Sequence, residues 1–289
     1  MSRLLSTPIL EKNRMHPISR LLAAAATLAC AATAQAATVV INPGNVANAP
    51  AVNQWYRSNY RDVSTGFTST TTAAITGTQP RNGNGSVEMS LTDGSGKVDY
   101  AYTWGFVGGN TLGNLTTLSY DWYRDSSSTN PAVQSPALRL LFDADGLAAT
   151  SNDRGYLIYE KVYQNDGSVP FDAWVSSNAI GGDFWQRRFN PGTTIEQYDT
   201  DLVEWSAGAN YAGALMLSAN TAILGIEFGI GSGWNGQFRG AVDNVSYGFG
   251  TAPATTFNFE LAGAVPEPGT LALVGLSLGL LAAGARRRG

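Results

Sequence analysis

Val98-Asp99-Tyr100-Ala101-Tyr102-Thr103-Trp104-Gly105-Phe106 places large side chains at every second position. Val98, Tyr100, Tyr102, Trp104 and Phe106 share one face, which is the signature of a half-buried β-strand. The same period recurs on both sides. In 86–91, Val87, Met89 and Leu91 oppose Ser86, Glu88 and Ser90; in 116–124, Leu118, Tyr120 and Trp122 share a face. In 223–230, Leu224, Ile226, Phe228 and Ile230 oppose Gly225, Glu227 and Gly229. Further strands are expected at 137–142, 155–163, 194–198, 202–205 and 241–249. Asn82-Gly83-Asn84-Gly85, Asp93-Gly94, Asp145-Gly146 and Asp166-Gly167 fall between strands, and such pairs favour the turns that join antiparallel neighbours. About ten short strands without a convincing amphipathic helix predict an all-β fold, an antiparallel two-sheet β-sandwich of jelly roll type. No linker or repeat interrupts 37–250, so it is expected to be one domain. Residues 251–264 read as a tether, with a small apolar strand within 256–261.

The two ends have a different character. Arg14, His16 and Arg20 precede an apolar run from Leu21 to Ala32, followed by Ala34-Gln35-Ala36. A basic start, a short apolar stretch and small residues at Ala34 and Ala36 make 1–36 a secretory signal peptide, cut after Ala36. A start at Met15 gives the more usual basic leader. At the other end, 265–289 opens with Val265-Pro266-Glu267-Pro268. It continues through an apolar run over 270–285 and closes on Arg286-Arg287-Arg288. Sixteen residues make a helix of about 24 Å, slightly short of a full span, which mild bilayer thinning accommodates. Three arginines do not cross a bilayer cheaply, so they hold the C-terminus inside the cell and leave the domain outside.

This ending resembles a PEP-CTERM sorting signal: a Pro-Glu-Pro motif, a transmembrane helix and a terminal arginine cluster, in that order. The resemblance implies processing near Pro266–Pro268 by a membrane-embedded exosortase of a Gram-negative bacterium, after transient membrane anchoring. Release to the cell surface or extracellular matrix would follow, and the family is associated with extracellular polysaccharide and biofilm. The stretch Ala241-Val242-Asp243-Asn244-Val245-Ser246-Tyr247 resembles the closing strand of concanavalin-like and carbohydrate-binding jelly rolls.

Composition narrows the chemistry. From 37 to 265 there are 20 acidic and 11 basic residues, a net charge of −9. Such a domain repels nucleic acid and anionic membrane surfaces, and suits neutral sugars or divalent cations. The only cysteine, Cys30, and the only histidine, His16, precede the cleavage site. The domain therefore has no disulfide, no Ser-His-Asp triad and no Cys/His zinc site.

Three sets of candidates remain. Asp143-Ala144-Asp145-Gly146 offers two carboxylates at a turn, and calcium takes six to eight oxygen ligands. Asp153 and backbone carbonyls, or Asp243 from another strand, are candidates to complete such a site; no other cofactor is expected. Asp199, Asp201 and Glu204 form the catalytic alternative. On a strand the two aspartates share a face, and a bulge brings Glu204 to it. The spacing is similar to the E-x-D-x-x-E motif of laminarinase-type glycoside hydrolases. That resemblance implies Asp199 as nucleophile, Asp201 as helper and Glu204 as acid, with the shorter Asp retracting the nucleophile by one methylene. Third, Trp174, Trp185 and Trp234 lie in Gly- and polar-rich segments, where exposed rings stack on sugars. The leading expectation is a non-enzymatic, exosortase-sorted surface or matrix protein that binds polysaccharide. A secreted glycoside hydrolase and an inert matrix scaffold are the alternatives.

Overall fold

The computed structural model describes residues 36–58, 71–92, 94 and 96–261. The expected signal peptide, apart from Ala36, and the sorting segment with its apolar run over 270–285 lie outside the described residues. In chain order the strands are β1 (Ala37–Ile41), β2 (Trp55–Ser58), β3 (Thr71–Thr76), β4 (Ser86–Leu91), β5 (Lys97–Thr103), β6 (Leu115–Arg124) and β7 (Ala137–Asp143). They continue as β8 (Arg154–Tyr159), β9 (Trp174–Asn178), β10 (Trp185–Arg188), β11 (Thr193–Ile195), β12 (Ala222–Gly231), β13 (Phe238–Phe249) and β14 (Thr255–Phe259). One short helix, α1 (Leu202–Ser206), interrupts them. Among the described residues no helix is long and apolar enough to cross a membrane.

The strands form two seven-stranded sheets. One is antiparallel throughout, in the order β11-β10-β8-β7-β12-β5-β2. The other is built around β13. One edge of β13 pairs with β6 from Gly240 to Phe249, and β6 carries β9. The opposite edge is shared: β4 takes Phe238–Val242 and is followed by β3, whereas β14 takes Val245–Tyr247. β14 in turn pairs in parallel with β1. The fork falls at Asp243-Asn244, where the register against β6 shifts and Asn244 adopts φ +50. Asn tolerates this left-handed conformation better than most residues.

The alternation of the sequence is the alternation of the core. Val87, Met89, Leu91, Val98, Tyr100, Leu118, Tyr120, Trp122, Ile226, Phe228 and Ile230 are all buried in one cluster. Aromatic rings tie the two sheets together: Trp55 of β2 packs edge-on against Phe257 and Phe259 of β14, each at 5.2 Å. Such pairs add about 0.5–1.5 kcal/mol each beyond their buried area.

Several expectations are corrected. β5 ends at Thr103 and the chain turns at Gly105 (φ +72), so Phe106 leaves the core face and stands exposed beside Arg154, 5.5 Å from its guanidinium. A bulge between Ile223 and Gly225 puts Ile223, not Leu224, into the core cluster. Residues 202–205 are helical rather than extended. The small apolar strand expected within 256–261 is β14, which sits between β1 and β13.

Candidate functional site

The inner face of the antiparallel sheet is apolar; its outer face is not. Asp99 on β5, Arg139 on β7, Glu227 on β12 and Tyr156 on β8 all point outward, and each is at most 2% exposed. The register explains their meeting, since Glu227 lies opposite Arg139 and Asp99 lies opposite Gly229. A Cβ at Gly229 would stand 1.8 Å from the Asp99 carboxylate, so only glycine leaves that acid its place. One guanidinium nitrogen, Arg139 Nη1, donates to Asp99 Oδ1 at 2.7 Å and to Glu227 Oε1 at 2.8 Å. Tyr156 Oη donates to Glu227 Oε2 at 2.9 Å, and the Lys97 ammonium pairs with Asp99. Two cations thus balance two anions, as burial of charge requires.

A cavity of about 250 Å³ opens beside this network. Ser135, Arg139, Glu160, Tyr163, Trp185 and Trp234 contribute to its wall. Trp185 Nε1 donates to Glu160 Oε2 at 3.0 Å, and Trp234 packs edge-on against Phe238 at 5.1 Å. Both indoles are largely buried, so they offer ring edges to the cavity rather than open platforms. Tyr163 stacks on Tyr198 with centroids 4.0 Å apart. Burial, and after it the nearby Glu160 carboxylate, push its phenol well above the usual tyrosine value, so it stays a hydrogen-bond donor. Two buried groups on the wall, Arg139 Nε and Ser135 Oγ, have no hydrogen-bond partner among the described residues. Leaving such groups unmatched costs about 1–3 kcal/mol each.

The sequence candidates distribute as follows. Trp185 and Trp234 meet at this cavity; Trp174 does not. It lies on β9 in the other sheet, tilted against Tyr123, with the Arg81 guanidinium 5.7 Å from its ring. Asp199, Asp201 and Glu204 do not share a strand face. Asp201 caps α1: its Oδ1 accepts from Glu204 N at 2.8 Å, while Glu204 Oε2 accepts from Asp201 N at 3.2 Å. Asp199 is exposed and bonded to Gln197. The strand geometry assumed for hydrolysis is therefore replaced by a reciprocal helix cap, whose D-x-x-E spacing was legible in the sequence. Asp143 and Asp145 meet Asp153 at the β7–β8 connection, whereas Asp243 belongs to the other sheet and is not part of that group.

Arg139, Ser135, Glu160 and Tyr163 were not singled out by sequence. The available signal was a charged residue inside an apolar run, as in Leu138-Arg139-Leu140 and Ile226-Glu227-Phe228. A solvated outer face gives the same pattern.

Comparison with known proteins adds a tag. Residues 264–288 match the PEP-CTERM protein-sorting motif. The chain therefore carries an export-and-sorting signal, which marks a protein anchored in the membrane and then sorted. No curated protein matches the chain. Among solved structures, the chain is similar to a carbohydrate-binding module of the β-sandwich superfamily. That match has 12% identity over 68% of this chain and 58% of the other, with a TM-score of 0.34. It is similar also to a family 11 carbohydrate-binding module from Clostridium thermocellum in complex with a β-1,3-1,4-mixed-linked tetrasaccharide, at 14% identity over 70% of this chain and 92% of that one, TM-score 0.34. The chain thus spans under two thirds of the first of these structures.

Proposed function

We propose that this chain is an exosortase-sorted protein of the cell surface or extracellular matrix in a Gram-negative bacterium. In this reading its β-sandwich binds a neutral polysaccharide at the cavity beside Trp185 and Trp234 without cleaving it. One observation carries the reading: the cavity is lined by the aromatic residues Tyr163, Trp185 and Trp234 together with the polar residues Gln134, Ser135 and Glu160. Such a wall fits a ligand with hydroxyl groups on an apolar frame, which is the chemistry of a pyranose. Charge points to a neutral one. Arg139 is already matched by Asp99 and Glu227, Lys161 lies 3.6 Å from Asp166, and Glu160 accepts from Trp185. Glu160 alone keeps an unbalanced negative charge, since the indole that donates to it is neutral, so the wall repels an acidic sugar. The wall also lacks a facing pair of carboxylates for glycoside hydrolysis, since Glu160 is the only acid among its lining residues.

The test is calorimetric titration of the exported protein with neutral and anionic polysaccharides, including those of its own host. Saturable binding to a neutral glycan is expected, weakened at least tenfold by Trp185→Ala and by Ser135→Ala, with no release of reducing ends. Equal binding by wild type and both variants, or binding to no neutral glycan, overturns the reading.

A further inference from the structure

Asp143 closes β7, Arg154 opens β8, and residues 144–153 join them. This connection gathers three carboxylates. Asp143, Asp145 and Asp153 each offer an oxygen within 4.8 Å of the other two. Two oxygens on opposite sides of one calcium ion stand about 5 Å apart, twice the usual metal–oxygen distance, so the three fit around a single ion. The group is not merely a solvated acidic turn. Asp143 is fully buried, and among the described residues its Oδ1 has no hydrogen-bond partner; Asp153 Oδ1 is likewise shut off from solvent without one there. Their other oxygens are occupied: Asp143 Oδ2 accepts from Arg154 Nε at 2.8 Å, and Asp153 Oδ2 accepts from Asp145 N at 3.0 Å. Asp145 Oδ1 is held in place by Leu147 N at 2.8 Å and by the Thr150 hydroxyl at 3.0 Å.

Charge makes the same point. Three carboxylates face one guanidinium, leaving two negative charges beside a buried acid.

We propose that the β7–β8 connection binds one divalent cation, calcium, through Asp143, Asp145 and Asp153. The donor set is oxygen only, which selects a hard cation. Calcium tolerates irregular geometry and completes its shell with carbonyls and water, whereas magnesium demands a near-ideal octahedron. The site stands independently of sugar binding, because none of its residues lines the cavity.

The experiment strips the exported protein with chelator and titrates it with calcium chloride, then magnesium chloride, by calorimetry, with thermal unfolding alongside. One calcium per chain, a rise in Tm and at least tenfold weaker magnesium binding are expected. Asp145 is exposed, so Asp145→Asn should fold normally and weaken calcium binding at least tenfold, as should Asp153→Asn. The proposal is overturned by no calcium binding at millimolar concentration, by magnesium binding as tightly, or by unchanged affinity in Asp145→Asn. That last result would place the cation elsewhere, for instance at Asp243.

Discussion

The two sheets bury negative charge in different ways. In the antiparallel sheet, Asp99 and Glu227 converge on the Arg139 guanidinium. In the forked sheet, Asp243 has no ion-pair partner among the described residues. Its Oδ1 accepts from Phe259 N at 2.8 Å, mending the backbone where β4 and β14 part, and among the same residues its Oδ2 has no hydrogen-bond partner. Burial lifts its carboxyl from 3.8 to about 7, helped by the Glu260 carboxylate and opposed by the N–H groups of Phe259, Asn244 and Asn82. Glu260 is itself wrapped by the β3–β4 connection: Asn84 N donates to Oε2 at 2.6 Å, and a Cβ at Gly83 (φ +114) would lie 2.0 Å from Oε1. A guanidinium settles buried acids whatever the pH, whereas backbone N–H groups do so incompletely and leave a titrating residue inside the fold.

The sharpest way to break this contrast is to remove the guanidinium. Arg139→Met leaves Glu227 buried without a cation, while Asp99 keeps only Lys97, and should cost about 3–5 kcal/mol in urea unfolding. Adding Glu227→Gln should restore much of that loss. A loss below about 1 kcal/mol for Arg139→Met alone would mean that Glu227 is solvated.

The next effect belongs to Asp243. Between about pH 4 and pH 7 the folded chain keeps a proton that the unfolded chain releases. The stabilisation it brings is complete at acidic pH and is lost as pH rises through about 7. Its size is about 2–4 kcal/mol from the shift. Asp243→Asn should flatten this part of the stability–pH curve measured from pH 4 to 8. A curve parallel to wild type would show that Asp243 is ionised throughout.

An exposed acid sets the baseline. Glu204→Ala removes half of the α1 capping box and should cost only about 0.5–1 kcal/mol, with glycan binding unchanged. A larger loss, or a change in binding, would give that surface a role beyond capping.

Much of this was legible in the sequence, and the rest failed for physical reasons. Ser86–Leu91 was read to the residue, and the alternation of β4, β5, β6 and β12 named about a third of the core, because one face of each strand is apolar. β2, β9 and β10 gave too little pattern: they are short, and their side chains divide unevenly between packing and solvent. β3 alternates between buried and exposed, but Thr and Ala stand on both its faces and hide the period. Period two also does not distinguish an outer face that meets water from one that is covered, so it does not mark Arg139 or Glu227 as buried. Two Asp-x-Asp stretches looked alike. One closes a strand and converges with Asp153; the other opens a helix and is used up in capping it.

The pairing of β1 with β14 also sets the order of events during export. In the described residues the first strand has no neighbour but the last, Ala37 beside Thr255 through Ile41 beside Phe259. A chain threaded outward from its N-terminus therefore carries that leading strand as a loose end through almost the whole of translocation. Its mate emerges only at residue 259, seven residues ahead of Pro266. Completion of the sheet and arrival of the processing motif at the membrane thus become nearly the same moment.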